Sequence, residues 1–370
     1  MRLLQVINAL QSAGAEVLLK DITLGLAHRG FETVVYLLRS TGAPLEHALA
    51  AAGIRIYRSA ISSVRSPRQG VALARHLRAH RYDVIHAHLF PAQLWVALAA
   101  RLAAIATPLV TTEHSSHNRR RRILLKRLDG WMYRRYTDVA CVSQAVADSL
   151  GSWIPEIRPR LSVIPDGIDV DRFATAKPSD QNQLLAIDGP IVMMVGRLDP
   201  EKDQATLLRA LRHLDGAHGV LVGDGSKRSE LEQLAARVGI ADRTHFLGSR
   251  DDVERLLKRA VIYVQSSHWE GFGIAALEAM ASGVPVVASR IPGLMDVVNS
   301  AGVLFEPGNA EELAQHLRAL LADPARRAEL AKRGRACAEQ FRIERTVERY
   351  GALYRETCGV RRNPRSPAAR

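Results

Sequence analysis

Two carboxylates eight positions apart, Glu270 and Glu278 in EGFGIAALEAM (residues 270–280), flank a glycine turn and form the pattern in this chain best suited to chemistry. Residues 261–265, VIYVQ, have strand composition, and residues 274–280 read as helix. Gly271 and Gly273 let backbone approach a ligand closely. The N–H groups of Phe272, Gly273 and Ile274 would then open a helix, where unpaired donors and the dipole favour an anion. At about 1.5 Å of rise per residue, Glu278 lies roughly one and a half turns along, near the other end of a nucleotide-sized ligand. Glu270 stays outside the helix, pointing at whatever the anion carries. A hydroxyl-rich ligand with a phosphate in its middle fits this arrangement. The plainer alternative makes Glu278 a solvated helix residue and Glu270 a helix cap.

Strand and helix signals alternate along the whole chain. Strands are expected at residues 3–7, 33–37, 54–57, 83–87, 109–112, 138–142 and 162–164, and again at 191–195, 219–222, 244–247, 261–264, 284–288 and 303–304. Helical patterns such as 71–80 and 311–321 fill the gaps. Alternation of this kind means parallel sheets covered by helices on both faces, with ligands outside the carboxyl ends of the strands. At 370 residues the chain exceeds what one core usually serves, and the polar stretch 174–188, with Pro178, reads as the connector between two doubly wound α/β domains. A reacting centre in the cleft between them is the expectation.

The motifs along these elements resemble those of glycosyltransferase family 4, a group of retaining, nucleotide-sugar-dependent enzymes whose hallmark is two glutamates separated by seven residues. The segment EGFGIAALEAMASGVPVVAS (270–289) carries that hallmark, and MVGRLDPEKDQATLLRAL (194–211) is similar to the family's strand, Gly-Arg and Lys block. VSQAVADSL from Val142, VIPDGID from Val163 and GDGSKRSELEQLA from Gly223 follow in the family's order, so the likeness covers nearly the whole chain. The resemblance implies a GT-B fold of two facing Rossmann-like domains. Residues 1–170 would bind the acceptor, 171–343 the donor; a closing helix at about 344–358 would pack back on the first domain, and 359–370 would be a disordered basic tail. It implies that Arg197 and Lys202 hold the diphosphate of a UDP- or GDP-sugar, that Glu270 grips sugar hydroxyls and Glu278 the ribose, and that His114 orients the transferred sugar. Phe272, Gly273 and Ile274 would bind the phosphate through their amides, and Gly14 would approach it from the first domain. No cofactor and no metal are expected, because Arg197 and Lys202 supply fixed positive charge.

Two departures stand out. The loop QSAGAE (11–16) carries Ala13 where the family has its first glycine, and PGLMD (292–296) keeps Gly293 but shortens the usual acid to Asp296.

Charge is concentrated in the first half. Of 51 Lys and Arg and 38 Asp and Glu, residues 1–165 hold 22 and 10, leaving 29 and 28 for the rest. The excess peaks in HNRRRRILLKRLDGWMYRRY (117–136), where Leu124, Leu128, Trp131 and Met132 follow helical spacing beside the basic residues of 119–135. A basic amphipathic helix there would dock on an anionic membrane surface, each basic residue contributing about 1 kcal/mol. A solvated helix with its stripe in the core is the alternative. Nucleic acid is excluded as a partner, since no reading motif accompanies the arginines. No apolar run is long enough to span a membrane. The three cysteines, Cys141, Cys337 and Cys358, are too scattered for a disulfide framework, which points to the cytoplasm, at the inner face of the plasma membrane if the membrane contact holds.

His86 and His88 in DVIHAHLF share a strand face and invite a metal reading, but no third ligand has suitable spacing, so structural or acceptor-side roles are expected. Asp251-Asp252 suits a helix N-terminus better than a metal site. Transfer of one sugar to a lipid-linked or polysaccharide acceptor in cell-envelope (lipopolysaccharide) assembly is the expected function. The rivals are a sugar-nucleotide epimerase, a nicotinamide dehydrogenase, which would need a GxGxxG that residues 11–16 lack, and a non-enzymatic polyanion-binding protein.

Overall fold

The computed structural model describes residues 1–11, 14–117, 123–178 and 187–362. The chain divides into two compact units, one of Met1–Gly167 with Ile343–Arg370 and the other of Ile168–Arg342. Ala13, Arg119 to Arg122, most of the expected connector and the last eight residues lie outside the described residues.

The first unit holds β1 (Arg2–Ile7), β2 (Glu32–Leu37), β3 (Arg55–Arg58), β4 (Val84–His88), β5 (Leu109–Glu113), β6 (Asp138–Cys141) and β7 (Leu161–Val163). Between them run α1 (Gly14–His28), α2 (Pro44–Ala51), α3 (Arg68–Ala79), α4 (Ala92–Ala103), α5 (Lys126–Tyr133) and α6 (Gln144–Trp153). The second unit opens with α7 (Val170–Thr175) and holds β8 (Ile191–Val195), β9 (His218–Val222), β10 (Thr244–Phe246), β11 (Ile262–Gln265), β12 (Val286–Ser289) and β13 (Val303–Phe305). Its further helices are α8 (Gln204–Leu211), α9 (Arg228–Arg237), α10 (Val253–Leu257), α11 (Ile274–Ala281), α12 (Pro292–Val298), α13 (Ala310–Ala322) and α14 (Pro324–Ala338). Finally α15 (Ile343–Arg362) returns to the first unit.

Strand order is β3-β2-β1-β4-β5-β6-β7 in one sheet and β10-β9-β8-β11-β12-β13 in the other, all pairs parallel. Each sheet is wound outward from its first strand in both directions, so right-handed crossovers place helices on both faces. The winding reverses between β1 and β4, and between β8 and β11, where two loops diverge and leave a crevice at the carboxyl ends. Every strand lies where the alternation of signals places it, with ends shifted by one or two residues. The interior strands, such as β4, β5, β11 and β12, are buried on both faces, which is why they lack a clean alternation, whereas the edge strands β3, β7 and β10 are only partly covered.

The cores follow the same logic. In the second unit α13 turns Leu313, Leu317 and Leu320 inward at helical spacing against Val192, Val264 and Phe305. Each such leucine contributes about 2 kcal/mol on burial. Asn309 caps this helix by accepting from the Glu312 N–H at 3.1 Å. In the first unit α15 inserts Val347, Tyr350 and Tyr354 beside Leu18, Ile22 and Leu26 of α1. A Cβ at Gly25 would meet Val347 Cγ2 at 2.6 Å, so the close approach of these two helices requires glycine there.

The basic segment differs from its expected amphipathic helix. Ile123–Leu125 form a 3-10 turn and only Lys126–Tyr133 are α-helical. Met132 and Tyr133 are buried, whereas Leu128 is 39% and Ile123 76% exposed. The stripe therefore divides: the helix reaches the core only in its second turn, and its entry stays in solvent. Among the described residues no helix is long and apolar enough to cross a membrane.

Candidate functional site

The second unit gathers its chemistry where the winding reverses. The loop after β8 runs from Gly196 through the 3-10 turn Pro200–Lys202 to Asp203, whose φ of 49° is left-handed and whose carboxylate caps α8 through the Thr206 N–H at 3.4 Å. The loop after β11 lies against it. The Ser266 hydroxyl donates to Asp203 O at 2.7 Å, and the His268 N–H donates to Glu201 O at 2.9 Å. These bonds satisfy backbone acceptors that a loop at a sheet end leaves unpaired, and they fix the two loops as one surface.

On that surface Lys202 meets Glu270. Lys202 Nζ lies 2.5 Å from Glu270 Oε1, with the two side chains 20% and 11% exposed. The same oxygen accepts from Gln265 Nε2 at 2.9 Å and Ser267 Oγ at 2.7 Å. Three donors on one oxygen hold the carboxylate in one rotamer.

The glycine turn behaves as the spacing of EGFG requires. Gly273 takes φ 97° and occupies the N-cap position of α11, a conformation that side chains with a Cβ rarely adopt. The first N–H groups of α11 have no acceptor within the helix. Gly293 packs beneath: a Cβ there would fall 2.4 Å from Glu270 O and 3.1 Å from Gly271 O. Gly293 thus lets α12 support the turn directly, and Asp296 lies exposed on that helix. Glu278 is half-buried on α11, as is Ile274, while Phe272 is buried. Glu270 and Glu278 both lie near the buried Tyr263 phenol, whose pKa burial raises first and the two carboxylates raise further.

Arg197 is arranged differently. Its guanidinium is 63% exposed and pairs with Asp199 and Glu201, each at 2.7 Å. On the two loops Arg197 faces the carboxylates of Asp199 and Glu201 and Lys202 that of Glu270, while Asp203 lies 3.5 Å from the His268 ring. A diphosphate binding here has to exchange with carboxylates already in place, aided by the α11 amides. Asp252 stands at the N-cap of α10, the helix N-terminus its sequence suits, and its carboxylate binds Arg250 at 2.8 Å through both oxygens, so the side chain does not cap the helix.

The first unit builds a neutral counterpart. His86 is bound at both ring nitrogens, to the Tyr354 hydroxyl at 2.6 Å and the Thr112 hydroxyl at 2.9 Å; Thr112 also bonds Tyr350 at 2.8 Å. His88 Nε2 bonds Gln5 Oε1 at 2.7 Å. The two histidines are network members that tie β1, β4 and β5 to α15. Burial lowers His86 to about 3 and His88 well below its ordinary value, so both rings are neutral. His114 follows β5; burial lowers it to about 4, and its Nε2 is buried with no partner among the described residues. An unpaired buried ring nitrogen is costly unless a ligand or solvent completes it. Asp166, after β7, is buried too, its carboxyl pushed up to about 8 by burial alone. Gly14 is the first residue of α1, the helix that follows β1.

Gln265, Ser267 and Tyr263 are the residues that motif reasoning passed over. Their signal was present: polar side chains two apart in a strand otherwise suited to full burial.

Two doubly wound units in one chain, with an ion pair at the switch point of the second, define the GT-B class of glycosyltransferases. Residues 12–172 match the family model described as Glycosyltransferase Family 4, and 176–336 match Glycosyl transferases group 1. A D-inositol 3-phosphate glycosyltransferase of Xylanimonas cellulosilytica is 30% identical over 89% of this chain and 88% of its own length. A lipopolysaccharide core biosynthesis glycosyltransferase, LpsE of Rhizobium meliloti, is 32% identical over 59% of this chain and 64% of its own. The crystal structure of Anabaena Alr3699/HepE in complex with UDP-glucose has a TM-score of 0.84 and 26% identity, covering 96% of this chain and all of that one. This chain belongs to glycosyltransferase family 4.

Proposed function

We propose that the protein transfers one sugar from a nucleoside-diphosphate sugar to a lipid-linked or polysaccharide acceptor, with retention at the anomeric carbon. The second unit binds the donor and the first the acceptor. The observation that carries this reading is the Lys202–Glu270 pair beside the N-terminus of α11 at the β8/β11 switch point. Breakage of the bond between the anomeric carbon and the diphosphate oxygen builds negative charge on the leaving phosphate and positive charge on the ring. Lys202, the Phe272, Gly273 and Ile274 amides and Arg197, once released from Asp199 and Glu201, stabilise that negative charge. Each such group contributes about a hundredfold to a thousandfold in turnover. The acceptor hydroxyl oxygen bonds to the anomeric carbon on the face the phosphate leaves, and its proton passes to the departing phosphate oxygen.

Glu270 recognises sugar hydroxyls and Glu278 the ribose. His114, neutral at physiological pH, offers its unpaired Nε2 to the transferred sugar, and Gly14 lets backbone approach the phosphate. The cations and the helix terminus supply the charge a divalent ion would bring, so chelators leave the rate unchanged. UDP-glucose bound by the Anabaena relative supports a nucleotide-sugar donor, and the LpsE relative supports a cell-envelope acceptor.

The exposed Ile123, Leu125 and Leu128, beside Lys126 and Arg127, support docking on the anionic inner face of the plasma membrane. Flotation with phosphatidylglycerol vesicles, lost on Leu128→Asp, tests that contact.

The deciding experiment screens UDP- and GDP-sugars against membrane lipid extract and soluble oligosaccharide, with donor-alone controls. Glycosylated product is expected. Free nucleotide without any acceptor would instead mark an epimerase, and no turnover or binding of any donor would remove the enzymatic reading.

A further inference from the structure

The donors around Glu270 form a directed chain rooted in β11. Tyr263 and Gln265 are two apart on that strand, so both side chains leave one face of the sheet. The Tyr263 hydroxyl donates to Gln265 Oε1 at 2.5 Å, its alternative acceptor being Val195 O at 3.2 Å. With its oxygen facing the phenol, the amide must turn its nitrogen the other way. There Gln265 Nε2 lies 2.9 Å from Glu270 Oε1 and 2.9 Å from Ser267 Oγ, and the Ser267 hydroxyl donates onward to Glu270 at 2.7 Å. A flipped amide would set its oxygen against a carboxylate at the same distance. Tyr263, Gln265 and Ser267 are all buried. An apolar side chain at position 265 would avoid the desolvation that an amide suffers at the end of an otherwise apolar strand.

We propose that Gln265 is a positioning residue for glycosyl transfer: its amide, locked by Tyr263 and doubled by Ser267, keeps the Glu270 carboxylate in one rotamer when Lys202 leaves it for the donor phosphate. The two roles of Lys202 conflict without such a device. Its Nζ contributes one of the three donors on Glu270 Oε1, and a lysine drawn to a diphosphate takes its charge and its hydrogen bond with it. Gln265 and Ser267 then remain. The inference rests on the reading of Glu270 as the donor-sugar contact. Of the other charged or titratable groups, Tyr263 on β11 lies near both Glu270 and Glu278 of α11, and the two loops that carry Lys202 and Glu270 also carry Glu201, Asp203 and His268.

The test compares Gln265→Leu, Gln265→Glu and Tyr263→Phe with the natural full-length chain, using UDP-glucose or GDP-mannose, whichever the screen shows to be turned over. Calorimetry with the matching nucleoside diphosphate and thermal melts accompany the kinetics. Gln265→Leu is expected to lower kcat about ten- to a hundredfold while the donor KM and nucleotide affinity stay within about twofold. Gln265→Glu places two carboxylates in hydrogen-bond contact, so they share a proton with a raised apparent pKa, and its activity rises relative to the natural chain as pH falls. Tyr263→Phe, which frees the amide to flip, lowers kcat about severalfold. Unchanged kcat in Gln265→Leu, a Gln265→Glu pH profile that superposes on the natural one, or kcat losses that only track the folded fraction would each overturn the proposal. Glu270→Gln separates the two readings. If it turns over normally, the assignment of Glu270 fails and takes this inference with it; if it is crippled while the Gln265 variants are not, this inference alone fails.

Discussion

The two units share one winding, the first sheet being one strand longer, but differ at their switch points. In the second, Lys202, Glu270 and Arg197 with its two carboxylates make a surface of paired charges. In the first, the corresponding region is filled by neutral groups: His86, Thr112, Tyr350 and Tyr354 bond one another, and His88 bonds Gln5. A reaction that expels a diphosphate needs mobile positive charge on one side, and paired cations can be released to meet it. Recognition of hydroxyls needs only neutral donors and acceptors. Identical winding therefore supports opposite electrostatics, because the winding fixes where loops diverge and not which side chains fill the gap.

The largest effect that would break this contrast is Lys202→Met, expected to lower kcat/KM about a thousandfold while nucleotide-free stability changes little. Steady-state kinetics beside a thermal melt checks it, and a loss below tenfold would show that the ion pair is structural. His114→Ala comes next, with an expected loss of about a hundredfold in kcat from a neutral ring, and so no shift of the acid limb of the pH–rate profile.

Stability against pH sharpens the comparison. His76, His86 and His114 in the first unit, lowered by burial to about 4, 3 and 4, and His88, well below its ordinary value, stay neutral in the fold while the unfolded chain binds their protons below about 6.5. Stability of this unit thus falls as pH drops from about 6.5 towards 4. Asp166 acts with the opposite sign: the fold keeps its proton up to about 8 while the unfolded carboxyl ionises near 4, so stability falls as pH rises through that window. The first unit is therefore most stable near pH 6.5, and Asp166→Asn should remove a decline of about 2 kcal/mol between pH 6.5 and 8. Hydrogen exchange resolved by unit measures this, and a second unit with the same profile would dissolve the contrast. The smallest effect is Asn309→Ala, which removes the α13 cap and costs the second unit about 1 kcal/mol in denaturant unfolding, with kinetics unchanged.

Some of the site was legible before any coordinates. EGFG announced a glycine turn and a helix start, and Gly273, with a left-handed φ, stands at the N-cap of α11. The glutamate spacing placed Glu270 before α11 and Glu278 within it. Tyr263, Gln265 and Ser267 were visible as polar side chains two apart, but what the Gln265 amide holds was not, because a glutamine at a strand end carries no motif and its meaning comes from Tyr263 two residues before and Glu270 five residues after. Arg197 was assigned to phosphate from its block, yet its partners Asp199 and Glu201 stand two and four residues away in that same block. Counting charges there would have foretold the pairing.

Sequence alone determined the strands and the positions of the turn glycines, since these depend on local composition and on backbone geometry that each residue carries with it. Which charges pair and which stay neutral was settled by the tertiary structure. Lys202 and Glu270 are 68 residues apart and His86 and Tyr354 are 268 apart. Only the register of parallel strands, which brings β11 beside β8 and α15 onto the first sheet, makes them neighbours.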